Sequence, residues 1–228
     1  MELCIIKKLG DIILYKALPQ SVPFLAGFFT AIFAEPIRKA FFKPNLKLDF
    51  INNGDYVAST PERITYNNKS TEIKAYYIRI KATNTRRIAA KDCKAYLAKI
   101  EKRDKDGYFK PTIYCDSIPL AWSCQNDGEQ YSGIDINKGV NQYADVITTR
   151  HLVSPAEVMY PGLKSGHPEP DNIYPQIKLL PLRYEKIFKE QGMFRYTIQI
   201  TSANADPKTI SLILDWKGVW DQFEVRAG

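Results

Sequence analysis

Two patterns of apolar spacing divide the chain. From Pro44 onward, apolar and polar residues alternate in short runs; before it they do not. In a strand, successive side chains point to opposite faces, so alternation marks a half-buried strand. Asn45–Phe50 sets Leu46, Leu48 and Phe50 on one side. Glu72–Thr83 does so with Tyr76, Ile78, Ile80 and Ala82, and puts Arg79 and Lys81 opposite. Cys93, Ala95 and Leu97 alternate next, and Ile100 falls out of phase, which predicts a β-bulge. Ile118, Leu120 and Trp122 give a short strand, and Asn137-Lys138-Gly139 turns into another at Gln142–Thr148. Beyond Gly192, Phe194, Tyr196, Ile198 and Ile200 share one face, Ser202–Pro207 turns, and Ile210, Leu212, Leu214 and Trp216 share the next. Trp220 and Phe223 are placed to cap an open end of the core. Asn53-Gly54 and Asp106-Gly107 mark further turns.

Seven or eight short strands separated by turn signals predict a mainly β fold, a sandwich or a barrel. No helical period of useful length competes within 45–228. The expected core includes Tyr76, Ile78, Ile80, Leu97, Trp122, Ile198, Leu212 and Leu214. The rhythm breaks over 149–190, which holds Pro155, Pro161, Pro168, Pro170, Pro175, Pro181 and both histidines, His151 and His167. That stretch reads as a Pro-rich insertion with one short element at Gln176–Leu180.

The N-terminal segment is different in kind. Ala17–Ala34 runs 18 residues without a charge, which as a helix reaches about 27 Å against a hydrocarbon core of about 30 Å. Lys16 and Glu35 bound it, and Leu3, Ile6, Gly10, Ile13 and Ala17 recur near helical spacing ahead of it. Residues 1–43 are therefore read as a helical membrane anchor with an amphipathic lead-in, crossing once. A helix packed in a core or an oligomer, an interfacial helix and a signal peptide are the rivals. Ile32, three residues before a cut after Ala34, suits a signal peptide poorly. Arg38, Lys39, Lys43 and Lys47 follow the run and Lys7, Lys8 and Lys16 precede it, so the positive-inside rule leans toward a cytoplasmic C-terminal domain.

The run FAEPIRKAFFKPNLKLDF, the series YYIRIKATNTRRIAAKDCKAYLAKIE, IPLAW, DINKG before QYADV, and the end GMFRYTIQITSANADPKTISLILDWKGVWD carry a resemblance. Together they resemble uncharacterised bacterial proteins in which one N-terminal membrane helix precedes an immunoglobulin-like β-sandwich. The resemblance covers most of 35–221 and departs at 149–190, where the insertion is longer. It implies an immunoglobulin-like sandwich over 44–228 and membrane attachment, and it carries no catalytic residues.

Composition changes this picture little. Apolar residues at 45 % and charged residues at 25 % are globular values, and 14 Tyr with 11 Phe favour strands. The net charge of +7 matters by its placement: residues 1–50 hold seven Lys/Arg against four Asp/Glu. What remains is mild for a nucleic-acid binder, whereas a basic excess beside an apolar run suits anionic lipid. Arg38, Lys39, Lys43, Arg86 and Arg87 are the candidate lipid or phosphate contacts. Among the four cysteines no CxxC occurs; Cys93 falls on an apolar face, and a Cys115–Cys124 bridge stays open. Asp104, Asp106 and Asp116 are interleaved with Lys102, Arg103 and Lys105, as at a solvated hairpin tip. There is no Gly-rich phosphate loop, GxSxG or HExxH, so no catalytic, metal or cofactor residues are assigned.

The function expected is a membrane-anchored, non-catalytic interaction module that binds a protein partner or ligand through its sandwich loops. Tyr160, His167 and Tyr174 of the insertion are its candidate contacts. A homo-oligomer is compatible with the N-terminal segment. Two alternatives stand: a sensor or effector subunit of a bacterial stress or antiviral system at the membrane, and an enzyme with an unrecognised site.

Overall fold

Alternating runs become two antiparallel sheets in the computed structural model, which describes residues 43–126, 128–150, 159 and 172–228. The chain divides into Met1–Lys43 and Pro44–Gly228. Of the first unit only Lys43 is described, so the anchor predicted over 17–34, Arg38 and Lys39 lie outside the described residues. Among the described residues, no helix is long and apolar enough to cross a membrane.

The first sheet is built around β3 (Lys69–Asn84) and β9 (Asn141–Arg150). Along the outer edge of β3 run β1 (Leu46–Asp49) and β2 (Val57–Tyr66); along that of β9 run β7 (Ala121–Trp122) and β10 (Asn172–Pro175). The second sheet runs β13 (Gln222–Ala227), β12 (Lys208–Val219), β11 (Gly192–Thr201) and β4 (Ala90–Arg103). The short strands β5 (Phe109–Pro111), β6 (Ile118–Pro119) and β8 (Ile134–Ile136) complete the far side of β4. Inward side chains of both sheets form one cluster from Leu46 to Val225, with Ile78, Leu97, Trp122, Ile198 and Leu214 within it. That is the arrangement of a β-sandwich.

Several strands differ from their sequence signal for physical reasons. β2 carries Pro61, which removes a backbone donor, and it is tolerated because β2 pairs only with β3. No residue of β2 is buried, so its sequence lacks the apolar beat that reveals a strand. Its turn into β3 is Asn67-Asn68, both at positive φ, 46° and 64°, as a two-residue hairpin turn requires. The run Ile118–Trp122 is not one strand: β6 pairs with β4 in the second sheet and β7 with β9 in the first, so the chain changes sheets at Leu120. The element expected at Gln176–Leu180 is reduced to a single bridge, Leu120 to Ile177, with β10 just before it. After it come a 3-10 turn at Leu182–Tyr184 and a short helix, α1 (Glu185–Lys189). Tyr76, expected in the core, is half-buried; it stacks on Trp220 at 5.5 Å and meets Phe223 edge-on, closing one end of the sandwich.

The bulge signalled by Ile100 is present. Thr197 pairs with Lys99 and Ile198 with Leu97, leaving Ala98 as the extra residue of β4. Before it Cys93, Ala95 and Leu97 face the core; after it Ile100 does, and Lys102 follows on the same face opposite Phe194. The bulge thus turns Lys102 inward and Glu101 outward. At the other end of β4, buried Asn84 ties three segments together. Its amide donates to the carbonyls of Ile88 and Ile136, and its Oδ1 accepts from the backbone of Asn45 and Arg86.

Candidate functional site

Lys102 is the last inward residue of β4, and α1 lies across from it. Ile187 and Phe188 of α1 are buried in the core, and α1 packs on β10. Between α1 and the β4–β5 hairpin opens a cleft of about 600 Å³. Its lining comes from the hairpin (Lys102, Arg103, Asp104, Lys105, Lys110), from Pro111, Thr112 and Ile113 beyond it, and from Lys186, Ile187, Glu190 and Phe194.

Local chemistry fixes both walls. On the hairpin side, Asp104 Oδ1 accepts from the backbone N–H of Asp106 and Tyr108, and Gly107 takes φ +90° to complete the turn. Asp104 Oδ2 pairs with Lys110 at 2.6 Å. That hydrogen bond first, and the Tyr108 N–H second, hold its carboxyl below the usual range. On the helix side, Tyr184 donates to Asp116 Oδ2 at 2.7 Å, and Arg183 pairs with the same carboxylate. These two partners, Tyr184 foremost, depress the Asp116 carboxyl. The Tyr114 and Tyr184 rings meet at 4.9 Å, so the segment after β5 and the turn before α1 are held together.

The charge in the cleft is unbalanced. Lys102 pairs with Glu190 at 2.5 Å and sits over the Phe194 ring at 5.3 Å. Arg103 turns to Gly107 O and Met193 Sδ. Asp104 and Glu190 are therefore spent on Lys110 and Lys102, and among the described residues no carboxylate pairs with Lys105 or Lys186. Lys102 and Lys110 also face each other directly across the β4–β5 pair, an arrangement that like charges disfavour. Beneath the exposed lysines lie buried Phe194 and Ile187, while Ile113 leaves 64 % of its surface open. Basic groups at the rim over an apolar floor give a site for an anion with an apolar part.

Other sequence-predicted positions are scattered. Tyr174 is on β10, half-buried, with the Arg150 guanidinium 4.2 Å over its ring; it is a strand residue and not the exposed loop ring expected. Arg150 also pairs with Glu62 at 2.9 Å, and Tyr77 donates to the same carboxylate. Burial first, then Glu62, raise the Tyr77 phenol. Tyr160 and His167 lie outside the described residues. Arg86 and Arg87 occupy the β3–β4 connection, at the opposite end of β4 from the cleft, and two lysines at the start of β4 are offset: Lys91 by Asp135 and Lys94 by Asp92. Lys43 is half-buried.

The cysteines Cys93, Cys115 and Cys124 are free thiols; Cys93 is buried and its thiol is pushed up by that burial. Among the described residues, no group of three His, Cys, Asp or Glu is placed to hold a metal ion. A second recess, about 190 Å³ beside β12 and β13, carries Asp215 and Glu224 against Arg226. Sequence reasoning read Lys102, Arg103 and Lys105 as a hairpin tip and passed over Lys110, Ile113 and Lys186; the signal present was a run of cations on both arms of an Asp-Gly turn. No protein-family model, curated protein or solved structure matches this chain.

Proposed function

We propose that this chain is a non-catalytic recognition module: an immunoglobulin-like sandwich that offers the cleft between the β4–β5 hairpin and α1 to a partner or ligand, and is held at a membrane by residues 1–43. The cleft carries the reading. It is concave, it is lined by five Lys/Arg against two Asp/Glu, and it holds no histidine or cysteine among its described residues. Both its carboxylates are engaged by lysines, which leaves them poorly suited to acid–base work. Its helix wall, α1, closes the Pro-rich stretch 149–190, where long insertions on a rigid sandwich put binding groups. Two antiparallel sheets packed through a shared core support the immunoglobulin-like assignment, and the uncharged run Ala17–Ala34 supports the membrane reading.

A comparative pull-down from native membranes after mild detergent extraction tests it. The double variant Lys105→Glu/Lys186→Glu reverses two exposed cleft charges and should lose the partners that the parent chain retains. Arg86→Glu/Arg87→Glu, at the far end of β4, should keep them. A cleft variant that folds and keeps every partner defeats the assignment of the cleft.

A further inference from the structure

The geometry points to one class of ligand for this cleft: a single amphipathic anion, with a carboxylate or phosphate head and an apolar body. The inference rests on the cleft being the recognition site and adds what it recognises. Size comes first. About 600 Å³ falls within the roughly 300–1,000 Å³ typical of small-molecule sites. Charge comes second. Lys102 and Lys110 are already neutralised by Glu190 and Asp104, and Arg103 is turned to Gly107 O and Met193 Sδ, so the groups left to hold a ligand are Lys105 and Lys186, which face it from opposite walls. One head group between them would satisfy both, and salt would weaken it because both lysines are exposed.

The apolar part comes third. Ile113 stands 64 % exposed on the wall, and Ile187 and Phe194 form the floor. A purely ionic ligand such as inorganic phosphate would leave Ile113 wet, whereas an apolar body lying against it removes it from water. Two other occupants fit less well. An extended peptide adding to the sheet would have to pair with β5, which is three residues long and ends in Pro111, a residue without an N–H. A flat bilayer would meet the exposed lysines but would not fill a concave cleft of about 600 Å³.

Isothermal titration of the full chain, held in phosphatidylcholine nanodiscs with empty discs subtracted, tests this. Octyl phosphate below its micellar concentration is the probe; inorganic phosphate and 1-octanol each lack one half of it. Saturable one-to-one binding of octyl phosphate is expected, at least tenfold tighter than either control. Lys105→Glu/Lys186→Glu and, separately, Ile113→Asp should each weaken it tenfold or more; all three positions are exposed, and far-UV circular dichroism confirms that the variants fold. Octyl phosphate binding no tighter than inorganic phosphate, or binding unchanged in the variants, overturns the proposal. So does affinity seen only for phosphatidylglycerol vesicles, which would make the face a bilayer contact. If the charge-reversed cleft loses its captured partners while octyl phosphate never binds, the recognition surface stands and the ligand class is wrong.

Discussion

Glu101 lies directly before the lysine that the bulge turns into the cleft, and its own carboxylate goes the other way. It is almost fully buried, with Arg195 at 2.7 Å and Lys99 at 2.8 Å. A buried carboxylate is costly unless paired, and removing its charge leaves Arg195 without its partner. The Arg195 hydrogen bond is the largest influence and lowers the Glu101 carboxyl below its ordinary value, against an opposing push from burial. A folded value below the unfolded one means that the unfolded chain binds the proton more readily. The stabilisation is therefore complete above about pH 4.3, the unfolded value, and is lost as pH falls through the folded value. Glu101→Gln should cost about 1–3 kcal/mol at pH 7, the range for a lost charge-assisted bond. It should also flatten the acid limb of stability below about pH 4.3. Urea unfolding of parent and variant from pH 7 to pH 3 reads both; an acid limb as steep in the variant as in the parent means that Glu101 does not set it.

Among the elements, β4 does most to position the cleft. Ala98 is its unpaired residue, and by bulging out of the ladder it keeps Lys102, and not Glu101, on the inward face. Inserting one alanine between Ile100 and Glu101 shifts the end of β4 by one position and sends Glu101 opposite Phe194, toward the core and away from Arg195. The expected loss is about 3 kcal/mol or more, as for a buried charge stripped of its partner, read as a shift in the urea midpoint. A loss below about 1 kcal/mol, within the range of ordinary surface changes, would show that the end of β4 re-pairs freely. This bulge was legible because Ile100 is out of step with Leu97. The long strands β3, β11 and β12 were legible for a related reason: each buries one face, so apolar residues recur at every second position. The rule fails at both extremes. β2 buries neither face and was missed, while β9 buries Ala144–Thr149 without a break and so hides its alternation. The cleft was illegible for another reason. Its two walls are about eighty residues apart in sequence, and it is the antiparallel registry of Phe194 with Lys102 that brings them together.

At the scale of the whole molecule, the core of the second unit runs unbroken from Leu46 on β1 to Val225 on β13, drawing on strands of both sheets and on Ile187 and Phe188 of α1. A single core of this kind unfolds as one cooperative unit, since no strand can leave without exposing the face of its neighbour. Residues 1–43 have a different role in this reading: the uncharged run Ala17–Ala34 supplies membrane affinity. Separating the two at Pro44 tests both halves of the reading. The 44–228 fragment should be recovered in the supernatant after carbonate washing of membranes, and should unfold in one transition by tryptophan fluorescence and far-UV circular dichroism alike. Trp122, Trp216 and Trp220 report from different parts of the sandwich, the first on the first sheet and the second on the other, so non-coincident transitions would reveal two sub-cores and refute the single one. The full chain should stay in the carbonate-washed pellet. Its release would leave the sandwich and the cleft as they are and remove the membrane from the proposed function.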